Sequence, residues 1–392
     1  MSSCPFDHHD PAFVVDPYSI VDRVREEQPV LHSELYGGFW LLTRYEDVTH
    51  AALDYETYTS SVVGVTIIPP SQPRKYPQIP IELDPPVHTR YRALVSTLFS
   101  KSRVEALRPE LEALARRLVE PVAARGHGDL VAEFAVPMSV GALGRFMDLP
   151  EEDQGKWVGW VRRMFEKALT DPDDQRAAVR EIEAYLDGLI AERRAEPRED
   201  FIGLLLESEV DGHRLTDDEV RGFGILMLIA GHETTAGAMG LSLLHLARNP
   251  EQRRWLFGDP ALVPTAVNEL LRFLSPVQVF GRNAARDIDI HGAHIPAGDV
   301  VALGYGAANH DPREFPSPGE CILDRKPNRH VAFGHAHHLC LGANLARLEI
   351  AIMIETFAAL LPDFELDPVQ PHTWKARGDV RGLASLAVRV AA

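Results

Sequence analysis

Cysteine is scarce in this chain of 392 residues: Cys4, Cys321 and Cys340 are the only three. No C-x-x-C occurs, which excludes a disulfide framework and the paired knuckles of a structural zinc fold, and fits a reducing compartment. Positive charge is in deficit, with 40 Lys and Arg against 57 Asp and Glu, a formal net charge of −17. That balance excludes a basic nucleic-acid face and docking to anionic membranes. No run of 18 apolar residues occurs; the nearest, 223–231, is cut by His232-Glu233-Thr234-Thr235. A membrane-spanning helix is therefore not expected. The first ten residues lack a basic and an apolar region, so they do not form a signal peptide. There is no G-x-G-x-x-G and no iron–sulfur spacing, hence no fused reductase. Without repeats or a low-complexity linker, the expectation is one soluble, cytoplasmic domain over 1–392.

What is present is an ordinary globular composition, 45% apolar and 25% charged. Helical periodicity dominates from about residue 86, and the spacing predicts helices over 17–27, 88–99, 102–124, 151–170, 174–195, 217–248, 250–258, 260–274 and 342–361. Alternating runs over 38–43 and 287–296 predict small strands. The fold class is mostly α with a minor β part. The strongest helix begins at Thr216-Asp217-Asp218-Glu219, a capping box, and runs to Asn249-Pro250. At 1.5 Å per residue it would span roughly 48 Å and must be central. Residues 60–86 hold seven prolines interleaved with apolar residues, a composition that predicts a loop folded over a hydrophobic pocket.

Four constellations carry chemistry. Cys340 stands at the mouth of the apolar 341–361 helix, where the helix dipole favours a thiolate. The preceding loop, Phe333-Gly334-His335-Ala336-His337-His338-Leu339, has the aromatic, glycine and histidine needed to hold a soft anionic sulfur against a haem iron. A buried free cysteine, or zinc held by His335, His337, His338 and Cys340, are the competing readings. The central helix carries Ala230-Gly231-His232-Glu233-Thr234-Thr235, a carboxylate and hydroxyls that are costly in mid-helix unless partnered or functional. The bland reading has Thr234 bonded to a carbonyl four residues back and Glu233 paired with an arginine. A zinc-protease reading fails because position 236 is Ala, not the second histidine of H-E-x-x-H. Glu269 and Arg272 lie at i, i+3, within ion-pair reach on a helix. His88 and Arg92 lie at i, i+4 on one helix face, and Arg282 follows an apolar run.

Together these resemble the cytochrome P450 superfamily. Residues 333–342 are similar to its haem-binding signature F-x-x-G-x-(H/R)-x-C-x-G at Phe333, His338, Cys340 and Gly342, departing at Ala336, where the family usually has glycine. Residues 230–234 are similar to its oxygen-activation motif (A/G)-G-x-(D/E)-T, and Glu269-Leu270-Leu271-Arg272 to its E-x-x-R. The resemblance implies haem b (iron protoporphyrin IX) with Cys340 as the metal ligand. It implies that Ala230 and Phe333 border the haem, that His88, Arg92, Arg282 and His338 anchor its propionates, and that Glu233 and Thr234 handle protons and oxygen. The family's E-x-x-R pair is commonly joined by an Arg-Phe dipeptide; here Glu320-Cys321 stands in that place, and Arg325 or Arg329 are the substitutes.

The implied function is a soluble, bacterial-type haem-thiolate monooxygenase that hydroxylates a small-to-medium apolar substrate with O2. The substrate would be a terpenoid, fatty acid, aromatic or macrolide-like molecule, held by the 60–83 loop, Leu226, Ile229, Ala230 and residues 277–280. Electrons would come from a ferredoxin and its reductase, with Arg92, Arg103 and Arg347 as candidates for the docking face. A haem-thiolate sensor or carrier without turnover is the alternative, and a zinc hydrolase the remoter one.

Overall fold

The computed structural model describes residues 6–62, 64–68, 75–167 and 170–390. Cys4, and within the proline-rich segment Val63, Pro69, Pro70 and Pro73, lie outside the described residues.

Helices make most of the molecule, and the capping box at Thr216 starts the central one as the sequence predicts. The Thr216 side chain accepts from Glu219 N at 3.3 Å, and Thr216 N donates to Glu219 Oε2 at 2.7 Å. The predicted single helix over 217–248 is instead two, Asp217–Ala230 and Glu233–Arg248, with Gly231 and His232 between them. Tertiary contact forces the break. A Cβ on Gly231 would lie 2.6 Å from Leu143 Cδ1, so only glycine lets this segment lie against the helix Val136–Met147. His232 leaves the helical region (φ −122, ψ −37). Its carbonyl accepts from Ser139 Oγ at 3.0 Å, and its Nδ1 lies 2.8 Å from Leu228 O. The His232 ring thus takes the Leu228 carbonyl that the ladder leaves at the kink, while Ser139 adds a second bond to a carbonyl that also accepts from Ala236 N.

Other boundaries move for local reasons. The 102–124 helix divides into Lys101–Ala106 and Arg108–Arg125, because Pro109 lacks the N–H that would continue the ladder. The 151–170 helix becomes a 3-10 turn, Glu151–Asp153, followed by Gln154–Glu166. Val136–Met147 was not expected as a helix at all. Eight of its twelve residues are buried, among them Gly141 and Gly144, residues of low helix propensity that weaken a helical reading of the sequence.

The main sheet has five strands in the order Val30–Ser33, Phe39–Leu42, Val300–Leu303, Phe280–Ala284, Tyr58–Thr59. Val300–Leu303 runs parallel to Phe39–Leu42 and antiparallel to Phe280–Ala284, which puts Val301 opposite Arg282. The 287–296 run is the hairpin Ile288–Ile290 with Ala293–Ile295. In the described part of the proline-rich segment Val65, Ile67 and Ile79 are buried. Tyr76 donates to Glu183 at 2.6 Å, and the Pro77 carbonyl occupies the space a Cβ on Gly222 would need. The segment is therefore packed on the first central helix. The largest cluster of the core joins Glu233–Arg248 and Ala343–Leu360, the helices that follow the break and the cysteine loop.

Candidate haem-thiolate site

The loop before Cys340 is closed by its backbone. Cys340 N donates to Phe333 O at 2.7 Å and Leu339 N to Ala336 O at 3.1 Å. Two residues take left-handed conformations, Gly334 (φ 73) and Ala336 (φ 53). Ala336 is the position where the signature usually has glycine, so its methyl group sits in a conformation that costs an L-residue about 1–2 kcal/mol. The variant Ala336→Gly is expected to gain ~0.5–1 kcal/mol in a urea melt, the strain relief exceeding the added freedom of the unfolded chain. A loss of stability would contradict the strain assignment.

Around Cys340, burial outweighs the neighbouring groups that favour an anion. Burial pushes its pKa up, while the Gly342 N–H, Arg92 and Arg347 oppose that push. Arg92 donates to Leu339 O at 2.6 Å. Arg347 donates to Asn268 Oδ1 at 3.0 Å and lies 4.4 Å over the Phe333 ring, fixing that aromatic at the edge of the loop. Cys340 and Leu339 nevertheless remain exposed within this packed region. Ala230, at the end of the first central helix, is exposed as well, although Ile225, Leu226, Met227 and Leu228 before it are buried.

Four nitrogen-bearing side chains from three parts of the chain converge beside the cysteine loop. The His88 and His338 rings are 4.5 Å apart, and His338 Nε2 lies 3.3 Å from Ser60 Oγ. Arg282 is 3% exposed and His88 2%. Both ring nitrogens of His88 are buried without a hydrogen-bond partner. Burial, then Arg92 and His337, push His88 down to about 4; burial, then Arg282, His88 and Arg92, push His338 down further. Among the described residues no carboxylate pairs with Arg92 or Arg282. Arg92 and Arg282, without a carboxylate partner among the described residues, and the orphaned ring nitrogens of buried His88 are together the complement of an acidic ligand. With the accessible Cys340 beside them, these residues fit a haem carrying two propionates.

The E-x-x-R pair is completed by a residue the sequence left between two candidates. Arg272 donates from Nε and Nη2 to the two Glu269 oxygens, both at 2.8 Å, with both side chains fully buried. Arg325 is the third member, its Nε 3.1 Å from each Glu269 oxygen; Arg329 pairs instead with Glu314. Ile322 N and Asn328 Nδ2 also donate to Glu269. The two arginines then bind the carbonyls of Pro316, Ser317, Pro318 and Glu320, clamping the chain that leads to the cysteine loop. Asn309 adds a link unseen in the sequence, accepting from Val331 N at 2.7 Å.

At the helix break the contacts are those of the bland reading. Thr234 Oγ1 donates to Ala230 O at 3.1 Å, and Glu233 is held by Arg377 Nη1 at 2.9 Å and Lys375 Nζ at 3.2 Å. Burial works to raise the Glu233 pKa, but Arg377, Lys375 and His232 outweigh it and hold the carboxyl below the usual range. Neither Lys375 nor Arg377 carried a sequence signal, since both lie over 140 positions away. Of the arginines expected on a docking face, Arg103 is exposed, while Arg92 and Arg347 are tied to Leu339 O and Asn268. No group of three or more His, Cys, Asp or Glu side chains able to hold a metal ion exists among the described residues, which removes support from the zinc readings.

A second unexpected carboxyl is Glu349, on Ala343–Leu360. It is fully buried, with Oε2 unpartnered and the Ser139 hydroxyl beside it, and burial raises its pKa well above the usual carboxylate value of 4.5. A raised carboxyl pKa favours folding below the unfolded value and loses that contribution as pH climbs toward the folded value. The variant Glu349→Gln keeps the donor for Ser139 but cannot ionise. Its melting temperature should match the parent near pH 4.5 and exceed it increasingly toward pH 7, at up to about 1.4 kcal/mol per pH unit. Parallel pH curves for the two proteins would refute this.

Comparison with known proteins agrees with the geometry. The family model described as Cytochrome P450 matches residues 159–256 and 261–379. The chain is 36% identical to the vitamin D(3) 25-hydroxylase of Pseudonocardia autotrophica, covering 96% of this chain and 94% of the relative. It is also 36% identical to the probable cytochrome P450 127A1 of Sinorhizobium fredii, covering 90% and 84%. The solved structure of the bacillaene polyketide synthase cytochrome P450 PksS of Bacillus subtilis superposes with a TM-score of 0.91 at 33% identity, covering 99% of this chain and all of that one. No helix among the described residues is long and apolar enough to cross a membrane. An accessible cysteine sulfur beside two arginines that lack a carboxylate partner among the described residues, a clamped ligand loop and a broken central helix are thus found in a chain that belongs to the cytochrome P450 family of haem b-dependent monooxygenases.

Proposed function

We propose that this P450 hydroxylates a small-to-medium apolar molecule, of terpenoid, fatty-acid, aromatic or macrolide-like character, with electrons from a ferredoxin and its reductase. The whole of 1–392 acts as one haem-binding unit in this reading. The observation that carries it is the convergence of buried His88 and Arg282 with partly buried Arg92 and His338 directly beside Cys340, the two arginines lacking a carboxylate partner among the described residues.

Cys340 would hold the haem through its sulfur, with the Gly342 N–H, Arg92 and Arg347 partly offsetting the burial that disfavours the thiolate. His88, Arg92, Arg282 and His338 would bind the propionates, while Ala230 offers a surface small enough for close approach and Phe333 flanks the loop. The bound haem supplies the reductive activation of O2. Two protons are needed in each cycle, and the helix break at Gly231-His232 carries a hydroxyl and a carboxylate side by side that would deliver them. In this reading Glu233, ionised at rest, takes a proton from solvent and passes it to Thr234 Oγ1, which gives up its bond to Ala230 O and hands its own proton onward. Leu226, Ile229, Val277 and Val279, with Ile67 and Ile79 of the proline-rich segment, would line an apolar substrate site. Relatives named for vitamin D(3) and for mycinamicin IV support a sizeable apolar substrate. Arg103, exposed in a chain of net charge −17, supports docking of an acidic partner.

The test is Thr234→Ala, reconstituted with ferredoxin, reductase and a substrate chosen by its shift of the haem spectrum. Product formation is expected to fall about tenfold or more while reducing equivalents leave as hydrogen peroxide. Unchanged product and peroxide would remove Thr234 from proton handling and revive a carrier role.

A further inference from the structure

A cavity of about 170 Å³ lies where the helices Glu233–Arg248 and Val263–Leu274 meet the hairpin of Thr373–Trp374 and Leu383–Ser385. None of its lining residues is one assigned to the haem or to the substrate beside it. The floor is apolar: Leu241, Leu244 and Leu274, all buried. Aromatic rings stand around it, Tyr18 from the helix Pro17–Glu27, Phe273 and Trp374. An apolar cavity of roughly 150 Å³ takes a benzene molecule, so a single aromatic ring fits here.

The charge in the lining is of one sign. His245 is kept neutral by burial, and its Nε2 lies 2.8 Å from Gln252 Oε1. The two charged lining residues are Arg248 and Arg381. Arg381 is 8% exposed, and its guanidinium lies 4.6 Å over the Trp374 ring. Nε and Nη2 donate to the carbonyls of Val14 and Val15 at 2.9 and 2.6 Å, which leaves Nη1 without a partner among the described residues. Arg248 is exposed at the rim, its Nη2 3.2 Å from His372 Nε2. Among the described residues no carboxylate lies within ion-pair distance of either arginine. Asp16 acts on Arg381 only through space, since its Oδ1 is engaged by Tyr18 N and Ser19 N at 3.2 and 3.4 Å. Burial presses the Arg381 pKa below the usual arginine value, Tyr18 and Asp16 oppose that push, and Arg248 adds to it.

A buried cation short of counter-charge, beside a second cation, is stabilised by an incoming anion. The fold sets the place of Arg381 in advance. Its N–H donates to Pro276 O at 2.6 Å, and its own carbonyl lies 3.0 Å from where a Cβ on Gly237 would stand. A ligand therefore meets a cation that needs no ordering, which lowers the cost of binding.

We propose that this cavity is a second ligand site, for a small aromatic carboxylate whose ring rests on the leucine floor and whose carboxylate meets Arg381 and Arg248. An inorganic anion would leave the apolar floor empty, and a neutral ring would leave the arginines without counter-charge. A long-chain fatty acid is too large for the volume. The site stands whether or not the substrate reading at the haem is right, because the two share no residue.

The test titrates p-fluorobenzoate into the haem-loaded protein, followed by fluorine NMR, with the Soret band recorded on the same samples. Saturable binding is expected, with a dissociation constant of about 1 mM or below and no movement of the Soret band. p-Fluorobenzamide, which has the shape without the charge, should bind about tenfold more weakly or worse. Arg248→Gln should weaken p-fluorobenzoate about tenfold, and Leu244→Phe, which fills the floor, should abolish its binding. The proposal is overturned by the absence of saturable binding, by equal affinity for the benzamide, or by affinity undiminished in Arg248→Gln. A Soret shift that tracks the titration places the probe at the haem and overturns it as well. So does acetate displacing the probe with equal affinity, because the aromatic cavity then contributes nothing. If Leu244→Phe fails to fold, Arg248→Gln at the exposed rim carries the same decision.

Discussion

Replacing Cys340 with serine is expected to abolish the strongly red-shifted Soret band of the reduced, carbon monoxide-bound protein, and turnover with it. The sulfur is the soft, electron-rich donor that this band reports, and a serine oxygen cannot take its place. Changing only a hydrogen-bonding partner of a metal ligand typically costs ten- to a hundredfold in affinity or activity, so loss of the ligand itself should cost at least about a hundredfold. The fold should survive the change. The loop is closed through the backbone, Cys340 N to Phe333 O, and serine keeps that donor. The Pro316–Glu320 carbonyls are clamped by Arg272 and Arg325, which do not touch the sulfur. Circular dichroism of the variant should therefore superpose on the parent. A retained red-shifted band would show that another group ligates the iron, and Cys321 would be examined next, although burial pushes its thiol up to about 12 and makes it inert.

The largest expected effect on stability follows Glu269→Ala. Its carboxylate accepts from Arg272, Arg325, Asn328 and Ile322 N, and it is fully buried. Truncation leaves two buried guanidinium groups without their counter-charge, for which about 3–5 kcal/mol is the usual cost. Against a total stability of roughly 5–15 kcal/mol, that is enough to depopulate the folded state at growth temperature. The chain from Pro316 to Glu320 also loses its clamp, so haem content should fall together with the urea midpoint. Glu314→Ala is the matched control. Its partner Arg329 is 69% exposed, and such pairs contribute about 0–1 kcal/mol. Equal losses in the two variants would mean that the Glu269 network is no more than a surface pair.

Both predictions start from residues visible in the sequence, but not equally. Cys340, His338 and Phe333 sit in one ten-residue stretch, and His88 and Arg92 on one helix turn; local spacing alone brings each group together. Arg325 was one of two candidates, and only the path of the 316–331 chain selected it over Arg329. Lys375 and Arg377 were invisible, because they meet Glu233 across more than 140 positions, and no local pattern encodes that approach.

What the sequence by itself determined was the chemistry: a single cysteine at a helix mouth, an acid and a threonine within a long apolar helix, and cationic residues at helical spacing. It also determined most helices, since a 3.6-residue stripe is a local property. Only the tertiary structure decided that the central helix breaks at Gly231-His232, because the cause is Leu143 and Ser139 on another helix. It alone ordered the five-stranded sheet, whose two-to-five-residue strands carry almost no pattern of their own. The same holds for the pairing of Glu233 with Lys375 and Arg377 and for the burial of Glu349. Charge pairing and burial depend on distance in space, and a linear chain records only distance along itself.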